Sequence, residues 1–360
     1  MVDVHPYETA PERAFWSRSV TGGLRAADFV GQTPFIRRGE AVASAGSCFA
    51  ANLVPYLESA GFHYLRTEPR HPSFAHVKSE GFRYDSFSAA YGNVYTARQL
   101  LQLLQRCLGL FTPAEDRWKT PDGIVDAFRP GLRHRAGSDR EFNLLTAQHL
   151  RRTLEAFRRA HVFVFTLGLT EAWVSRLDGA VFPACPGTVA GAFDHDRHAF
   201  RNYTVADTVA DLDAFFRLAR TVNPELRLIV SVSPVPLVAT ATGQHVLTAT
   251  TYSKAVLRAA AAEVSALHDA VAYFPAYEIV TGPQAPHTFF EPDRRSVSKA
   301  GVAAVMEIFF ACCEGDTTAP TAALEAGVSA AALSGAISEA ECEEAMAANR
   351  SSHIPDEPAG

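Results

Sequence analysis

The hydrophobic pattern of the chain alternates between short apolar runs and longer amphipathic segments. Four of these runs are apolar on both faces and rich in β-branched or aromatic residues, which is typical of strands buried in a parallel sheet. They lie at residues 40–45, 161–167, 226–233 and 270–274. Helical periodicity predicts helices over residues 47–60, 97–108, 144–160, 204–222, 251–267 and 299–312.

Strands that alternate with helices indicate βαβ units, and therefore an α/β fold with a doubly wound, mostly parallel sheet. Ligands in such sheets bind at the carboxyl ends of the strands. The residues that follow each strand are therefore the candidates for chemistry. Residues 113–130 show no periodicity, and we expect an irregular surface excursion there.

The carboxyl-terminal part of the chain differs in composition from the rest. After Thr317 the sequence is dominated by Ala, Glu and Ser and has few large apolar residues. We therefore expect one domain over residues 1–314, followed over residues 315–360 by peripheral helices and a disordered tail.

Composition and charge narrow the range of partners. The 360 residues carry a formal net charge of −6, which offers no global field for nucleic acid or an anionic membrane surface. No apolar run has the length of a membrane span, and the first residues lack the core of a signal peptide, so we expect a cytoplasmic protein. The six cysteines follow neither zinc nor disulfide spacing, and neither a GxGxxG nor a Walker-type loop is present. The sequence thus predicts no cofactor and no metal site.

Two polar clusters have simple explanations. We expect the arginines between Arg129 and Arg159 to lie on the solvated face of a helix. The run from Asp194 to His198 has the composition of a metal site, but its spacing does not place three ligands on one helical face. We therefore interpret that run as a polar loop.

The turn after the first strand carries the strongest candidate chemistry. Gly46 allows a tight bend, Ser47 is a suitable helix N-cap, and Cys48 falls in the first helical turn. Unpaired amides at a helix start stabilise an anion, which favours the nucleophilic thiolate form of a cysteine. Cys48 is therefore a candidate nucleophile, and a buried structural cysteine is the alternative.

The turns after the other strands carry weaker candidates. The amide of Gly168 and the hydroxyl of Thr170 could donate hydrogen bonds to an oxyanion, or they could form a glycine turn and a helix cap. Ser253 and Lys254 could form a Ser–Lys pair, but adjacent helical residues face different directions, so capping and solvent exposure explain them better. Asp293 precedes a helix, where it could act as a base, orient one, or simply cap the helix.

Several blocks of the chain, in order, resemble the GSCFA family, which is named for the peptide at residues 46–50. The other matching blocks lie at residues 91–96, 167–173, 233–237, 252–254 and 273–278. This family is similar to the SGNH (GDSL-like) hydrolases, and the resemblance implies a flavodoxin-like three-layer α/β/α sandwich.

The resemblance also implies roles for individual residues. The Gly-Asp-Ser peptide of SGNH enzymes corresponds to residues 46–48, which places Cys48 at the nucleophile position. A register one residue earlier would make Ser47 the nucleophile instead. Gly92 matches the oxyanion glycine of the second SGNH block. Gly168 matches the glycine of the Gly-x-Asn-Asp block, and Thr170 stands in place of its oxyanion Asn.

The last block departs from the SGNH pattern. Those enzymes carry Asp-x-x-His with the His as general base, whereas the corresponding run here begins at Asp293 and ends at Ser296. A serine hydroxyl is a poor base near neutral pH, although a thiolate needs a base less than a serine does. His245 or His287 could supply an imidazole from a neighbouring loop.

Two classes of function are consistent with these residues. In the first, the protein is a hydrolase or acyltransferase in which Cys48 attacks the carbonyl of a small-molecule or carbohydrate acyl ester, or of a thioester. In the second, it is a non-catalytic binding module that retains the cleft but lacks the base.

Overall fold

The computed structural model describes residues 5–31, 33–69, 87–132 and 134–314. Within the second range, it describes the backbone of Cys48 but not the side chain. The tail expected over residues 315–360, which would define the domain boundary after residue 314, lies outside the described residues. The strands are β1 (Ala41–Gly46), β2 (His63–Tyr64), β3 (Arg117–Thr120), β4 (Gly123–Asp126), β5 (Val162–Leu167), β6 (Glu171–Ser175), β7 (Val181–Phe182), β8 (His198–Asn202), β9 (Arg227–Val232) and β10 (Val271–Phe274). The α-helices are α1 (Trp16–Ser19), α2 (Cys48–Ala51), α3 (Leu53–Ser59), α4 (Ala97–Cys107), α5 (Asp139–Arg159), α6 (Val205–Val222), α7 (Val246–Leu267), α8 (Ala276–Thr281) and α9 (Lys299–Ala311).

The central sheet confirms the expected α/β architecture. Its five strands are all parallel and lie in the order β10-β9-β5-β1-β2. Counted along the chain, these strands give the order 2-1-3-4-5 of flavodoxin-like folds. The chain therefore reverses its direction of winding between β1 and β5, and the carboxyl ends of these two strands border the crevice in which such sheets bind ligands.

Alternate residues of the strands bury the two faces of the sheet against different helices. In β5, Phe163 and Phe165 pack against helices α4 to α7, whereas Val162 and Val164 pack on the side of α3, α8 and α9. Because both faces are covered, the longer strands consist mostly of apolar residues. The three-layer sandwich is therefore confirmed. None of the helices in the described ranges combines the length and apolarity needed to cross a bilayer.

The helix predicted over residues 47–60 is divided in two. It is interrupted at Asn52, between α2 and α3. Pro55 has no N–H group and cannot bond the carbonyl of Ala51, which removes one hydrogen bond where the two helices meet. The first helix after β1 is therefore only four residues long.

The expectation of an irregular excursion over residues 113–130 is wrong. This segment forms an antiparallel hairpin of β3 and β4, and Trp118 and Val125 are buried in it. The strands are four residues each, too short for periodicity to stand out. The Pro-Asp-Gly sequence at 121–123 is nevertheless a recognisable turn signal.

A second antiparallel sheet, in the order β7-β6-β8, is inserted between β5 and α6. Trp173 of β6 is paired in register with Phe182 on one side and Phe200 on the other. The sequence pattern did not predict this sheet. The run from Asp194 to His198, which we expected to be a polar loop, ends in this sheet, because His198 is the first residue of β8. The ring of His198 is buried and lies 3.2 Å from the carboxylate of Glu115.

The arginine prediction holds for the helix but not for the whole cluster. Arg151, Arg152, Arg158 and Arg159 are exposed on α5, as expected. Arg129 is instead buried among other charged groups.

A substitution at Gly46 tests how closely the ends of β1 and β5 approach each other. A Cβ atom at this position would lie 2.7 Å from the carbonyl oxygen of Thr166 and 2.8 Å from Cβ of Ala50. We expect Gly46→Ala to lower the free energy of unfolding by about 1–3 kcal/mol or more, as overpacked cores do, measured by denaturant titration. Gly22→Ala is the matched control, since its Cβ would meet no atom within 4 Å. Equal stability of the two variants would contradict the close contact.

Candidate active site

Three segments meet at the carboxyl ends of β1 and β5. Gly46 is paired in register with Thr166, so the turn after β1 and the loop after β5 begin side by side. A Cβ atom at Gly168 would lie 3.4 Å from Cβ of Ser47 and 3.0 Å from the ring of Tyr95. Three of the sequence blocks noted above, at residues 46–50, 91–96 and 167–173, therefore converge at this point.

Ser47 occupies the N-cap position of α2, as predicted, but it does not cap the helix. Its side chain makes no hydrogen bond to the first turn. Only 4% of the residue is exposed, and its Oγ has no hydrogen-bond partner among the described residues. A buried hydroxyl without a partner costs about 1–3 kcal/mol. Such a group is a candidate to receive its partner from a bound molecule.

Cys48 is the first residue of α2, so the sequence placed it correctly in the first helical turn. Its side chain is outside the described part of the structure. The helix that it opens has four residues, ending at Ala51. Stabilisation of an anion here would therefore come from the unpaired N–H groups of the first turn rather than from a long helix dipole.

Gly92 lies in a loop that is fastened to the end of β1. The N–H of Val94 donates to the carbonyl of Gly46 at 2.9 Å, and the hydroxyl of Tyr91 donates to the carbonyl of Ser44. Gly92 has a φ of 67°, a left-handed conformation that glycine adopts without strain. Within the described ranges its N–H makes no hydrogen bond. The amide expected to act as an oxyanion donor is thus unpaired.

A buried network of charged groups fixes the same loop through hydrogen bonds to Ala90. The N–H of Ala90 donates to Glu68 at 2.8 Å, and the carbonyl of Ala90 accepts from Arg129 at 3.3 Å. Glu68 also lies 2.7 Å from Nδ1 of His149, and Arg129 donates to Asp126 at 2.8 Å. Both backbone groups of the residue two positions before Gly92 are therefore fixed. The sequence did not predict this network, because its members are far apart along the chain.

The protonation states of the network follow from burial and charge. Burial lowers the pKa of His149, and the charge of Arg129 lowers it further, so the ring is neutral near pH 7. Burial would raise the pKa of Glu68, but the neighbouring His149, Arg129 and the amide of Ala90 outweigh it and hold that pKa below its ordinary value. The ionised Glu68 therefore accepts a hydrogen bond from the neutral ring of His149.

The oxyanion roles predicted for Gly168 and Thr170 need correction. The N–H of Gly168 already donates to the carbonyl of Tyr95 at 2.8 Å. Thr170 is buried, its N–H donates to Oγ of Ser253 at 3.0 Å, and its hydroxyl donates to Asn202 at 2.7 Å. Neither group is open to a ligand. They form the frame that holds the loop after β5, and Thr170 precedes a strand rather than a helix.

The expectation that Ser253 and Lys254 are exposed at a helix start is also wrong. The helix α7 begins earlier, at Val246, so both residues lie within it and face the interior. Lys254 is 1% exposed, and its Nζ donates to the carbonyl of Gly168 at 2.6 Å. A buried amino group requires hydrogen-bonded partners. The helix thus places the amino group of Lys254 on the carbonyl of the residue that contacts Ser47. The core spacing of Ser253 with Leu257 was the available signal.

None of the candidate bases is hydrogen-bonded to Ser47 among the described residues. Asp293 accepts hydrogen bonds from the amides of Arg295 and Ser296 and, at 2.6 Å, from the hydroxyl of Ser296, all within one exposed loop. His245 is exposed, and its Nδ1 accepts from the N–H of Leu247 as the N-cap of α7.

His287 is exposed in a short 3₁₀-helix. Within the described ranges, neither imidazole, nor Asp293 or Ser296, is hydrogen-bonded to Ser47. Burial would raise the pKa of Asp293, but the hydrogen bonds from Ser296 and Arg295 hold it below its ordinary value. Asp293 does not cap the following helix either, because Ser298 is the N-cap of α9 and Asp293 instead accepts hydrogen bonds within its own loop. In the part of the chain that the structure describes, no group of three His, Cys, Asp or Glu side chains is arranged to hold a metal ion.

The buried network gives the protein a testable pH dependence. Because the pKa of His149 is lowered by folding, the unfolded chain binds more protons below the ordinary histidine pKa of about 6.5. Stability is therefore complete above that pH and falls as the pH decreases. We expect the melting temperature to drop between pH 7.5 and 5.5, and His149→Gln to flatten that drop. The exposed His245→Gln is the control, and an equal slope in both variants would contradict the neutral buried ring.

The comparisons agree with the residues that converge here. No curated protein sequence matches the chain significantly. A family model described as GSCFA family matches residues 41–309, a range that runs from the first residue of β1 into α9. It includes every residue described above at the ends of β1 and β5. The chain therefore belongs to the GSCFA family.

Proposed function

We propose that the protein is a hydrolase or acyltransferase of the SGNH type, acting on an ester or thioester of a small molecule or carbohydrate. The observation that carries this proposal is the convergence of the turn at residues 46–48 with the loop that contains the unpaired amide of Gly92, at the switch point of a sheet with flavodoxin strand order. Such crevices bind ligands. Unpaired backbone donors beside a candidate nucleophile are what acyl transfer requires.

Cys48 is the better candidate nucleophile than Ser47. A serine hydroxyl becomes nucleophilic only when a base accepts its proton, and Oγ of Ser47 has no hydrogen-bond partner among the described residues. A thiol reaches its reactive thiolate form near neutral pH when amides at a helix start face it. The missing SGNH histidine at Ser296 therefore impairs a serine mechanism more than a cysteine mechanism.

The proposed reaction has two steps, acylation of Cys48 and hydrolysis or transfer of the acyl group. The thiolate of Cys48 attacks the carbonyl carbon, and the C–O or C–S bond to the leaving group breaks as an acyl-thioester forms. The N–H groups of Cys48 and Gly92 donate to the developing oxyanion, and the hydroxyl of Ser47 is a third donor. The leaving group takes a proton from solvent. Water or an acceptor hydroxyl then attacks the acyl-thioester, the C–S bond to Cys48 breaks, and the proton of the attacking group passes to solvent, which leaves the thiolate and the acid or new ester.

One observation favours the non-catalytic binding module as a second candidate. By the resemblance, Asp293 and Ser296 correspond to the SGNH Asp and His, and the hydroxyl of Ser296 donates to Asp293 in an exposed loop. A pair that satisfies itself in this way orients no general base.

Covalent capture of the acyl group tests the proposal. We expect a panel of fluorogenic esters and thioesters to contain substrates whose turnover falls by at least about 10³-fold in Cys48→Ala, as for loss of other covalent nucleophiles. Intact-mass spectrometry should detect one acyl group, mapped to Cys48 by proteolysis.

Two controls make the result specific. Cys107→Ala removes a thiol whose pKa burial raises to about 12, and should leave turnover unchanged. Ser47→Ala should reduce turnover without preventing acylation. Undiminished turnover in Cys48→Ala would refute the thiol mechanism. An unacylated protein that turns over no member of the panel would favour the binding module.

A further inference from the structure

A cavity of about 280 Å³ lies beside the loop that follows β5. We refer to it as the side cavity. Its walls come from the inserted sheet β7-β6-β8, from residues 183–188 and 237–241, and from Tyr95 and Leu169. The sheet inserted between β5 and α6 therefore forms part of the wall of the side cavity.

The side cavity adjoins the turn that carries Ser47. The carbonyl of Tyr95 accepts from the N–H of Gly168 at 2.8 Å and lies 3.4 Å from the N–H of Leu169. Gly168 has no side chain, and a Cβ there would touch both Tyr95 and Ser47. Gly168 therefore lies between Tyr95, which lines the cavity, and Ser47 in the turn.

The residues that line the side cavity disfavour a negatively charged ligand. Trp173 and Phe200 form an aromatic pair with ring centroids 5.7 Å apart, and most other lining residues are apolar. The described lining residues include neither Lys, Arg nor His, and their one charged side chain is Glu171. Its carboxylate accepts from the hydroxyl of Thr240 at 2.6 Å and from the N–H of Ala241 at 3.1 Å. An anionic ligand would meet a like charge without a compensating cation.

The size of the cavity also limits the ligand. Its volume is at the lower end of the range of about 300–1,000 Å³ that small-molecule pockets occupy. A single acyl chain fits this range better than a polycyclic ligand does.

We propose that the side cavity binds an uncharged, medium-length acyl chain and sets the acyl-group specificity of the site at residues 46–48. The specificity role rests on the proposed function, whereas the binding itself can be measured without turnover. The acyl carbonyl would lie at the turn, and the hydrocarbon would extend past Gly168 toward Trp173.

A non-hydrolysable ligand tests the binding. We expect octanamide to bind the full-length protein in calorimetric titration, and the monoamide of octanedioic acid, whose carboxylate would lie at the cavity end of the chain near Glu171, to bind at least about tenfold more weakly. Ala239→Trp fills the rim of the cavity from an exposed position and should weaken octanamide binding at least about tenfold. Gln244→Trp is the matched control, since Gln244 is exposed a few residues further along and does not line the cavity. Absence of octanamide binding, or equal binding by wild type and Ala239→Trp, overturns the proposal.

A chain-length series separates this inference from the proposed function. With thioesters from acetyl to octanoyl, kcat/KM should rise about fourfold for each methylene that enters the cavity. Octanamide binding without turnover of any ester would overturn the proposed function and support the cavity assignment. Turnover that is independent of chain length, together with undetectable octanamide binding, would overturn the cavity assignment and leave the proposed function standing.

Discussion

The contact between the ends of β1 and β5 is the constraint on which the rest of the site depends. Gly46 is needed there because the carbonyl of Thr166 and the side chain of Ala50 leave no space for a Cβ atom. The same glycine uses its carbonyl to hold the loop that contains Gly92. Gly168 then packs against Ser47 from the β5 side. Two glycines thus bring the three segments of the site within contact, and a larger residue at either position would separate them.

Around this contact, hydrogen bonds from distant parts of the chain fix the loops that follow β1 and β5. Lys254 holds the carbonyl of Gly168, and Glu68 and Arg129 hold Ala90. Among the described residues, the hydroxyl of Ser47 and the amide of Gly92 remain unpaired at this end of the sheet. Buried polar groups are normally paired in folded proteins, so the buried hydroxyl of Ser47 is a candidate contact for a bound molecule.

The sequence predicted the central sheet well and its additions poorly, for physical reasons. Strands buried on both faces leave continuous apolar runs, so the four longer parallel strands were found to within a residue or two. The strands of the hairpin and the inserted sheet have five residues or fewer, which gives little periodic signal. The sequence located the turn at residues 46–48, whose chemistry is local. It missed Lys254, Glu68 and His149, because their roles depend on partners that only the fold brings near.

The reactivity of one thiol tests the central claim most directly. The rate at which iodoacetamide alkylates Cys48 should be measured across pH by peptide mass spectrometry, with Cys48→Ala to confirm the site. The account predicts rapid labelling, with half-maximal rate well below the pH of about 8.5 at which a free thiol ionises. A Cys48 that resists labelling in the folded protein, or that titrates like a free thiol, would contradict it.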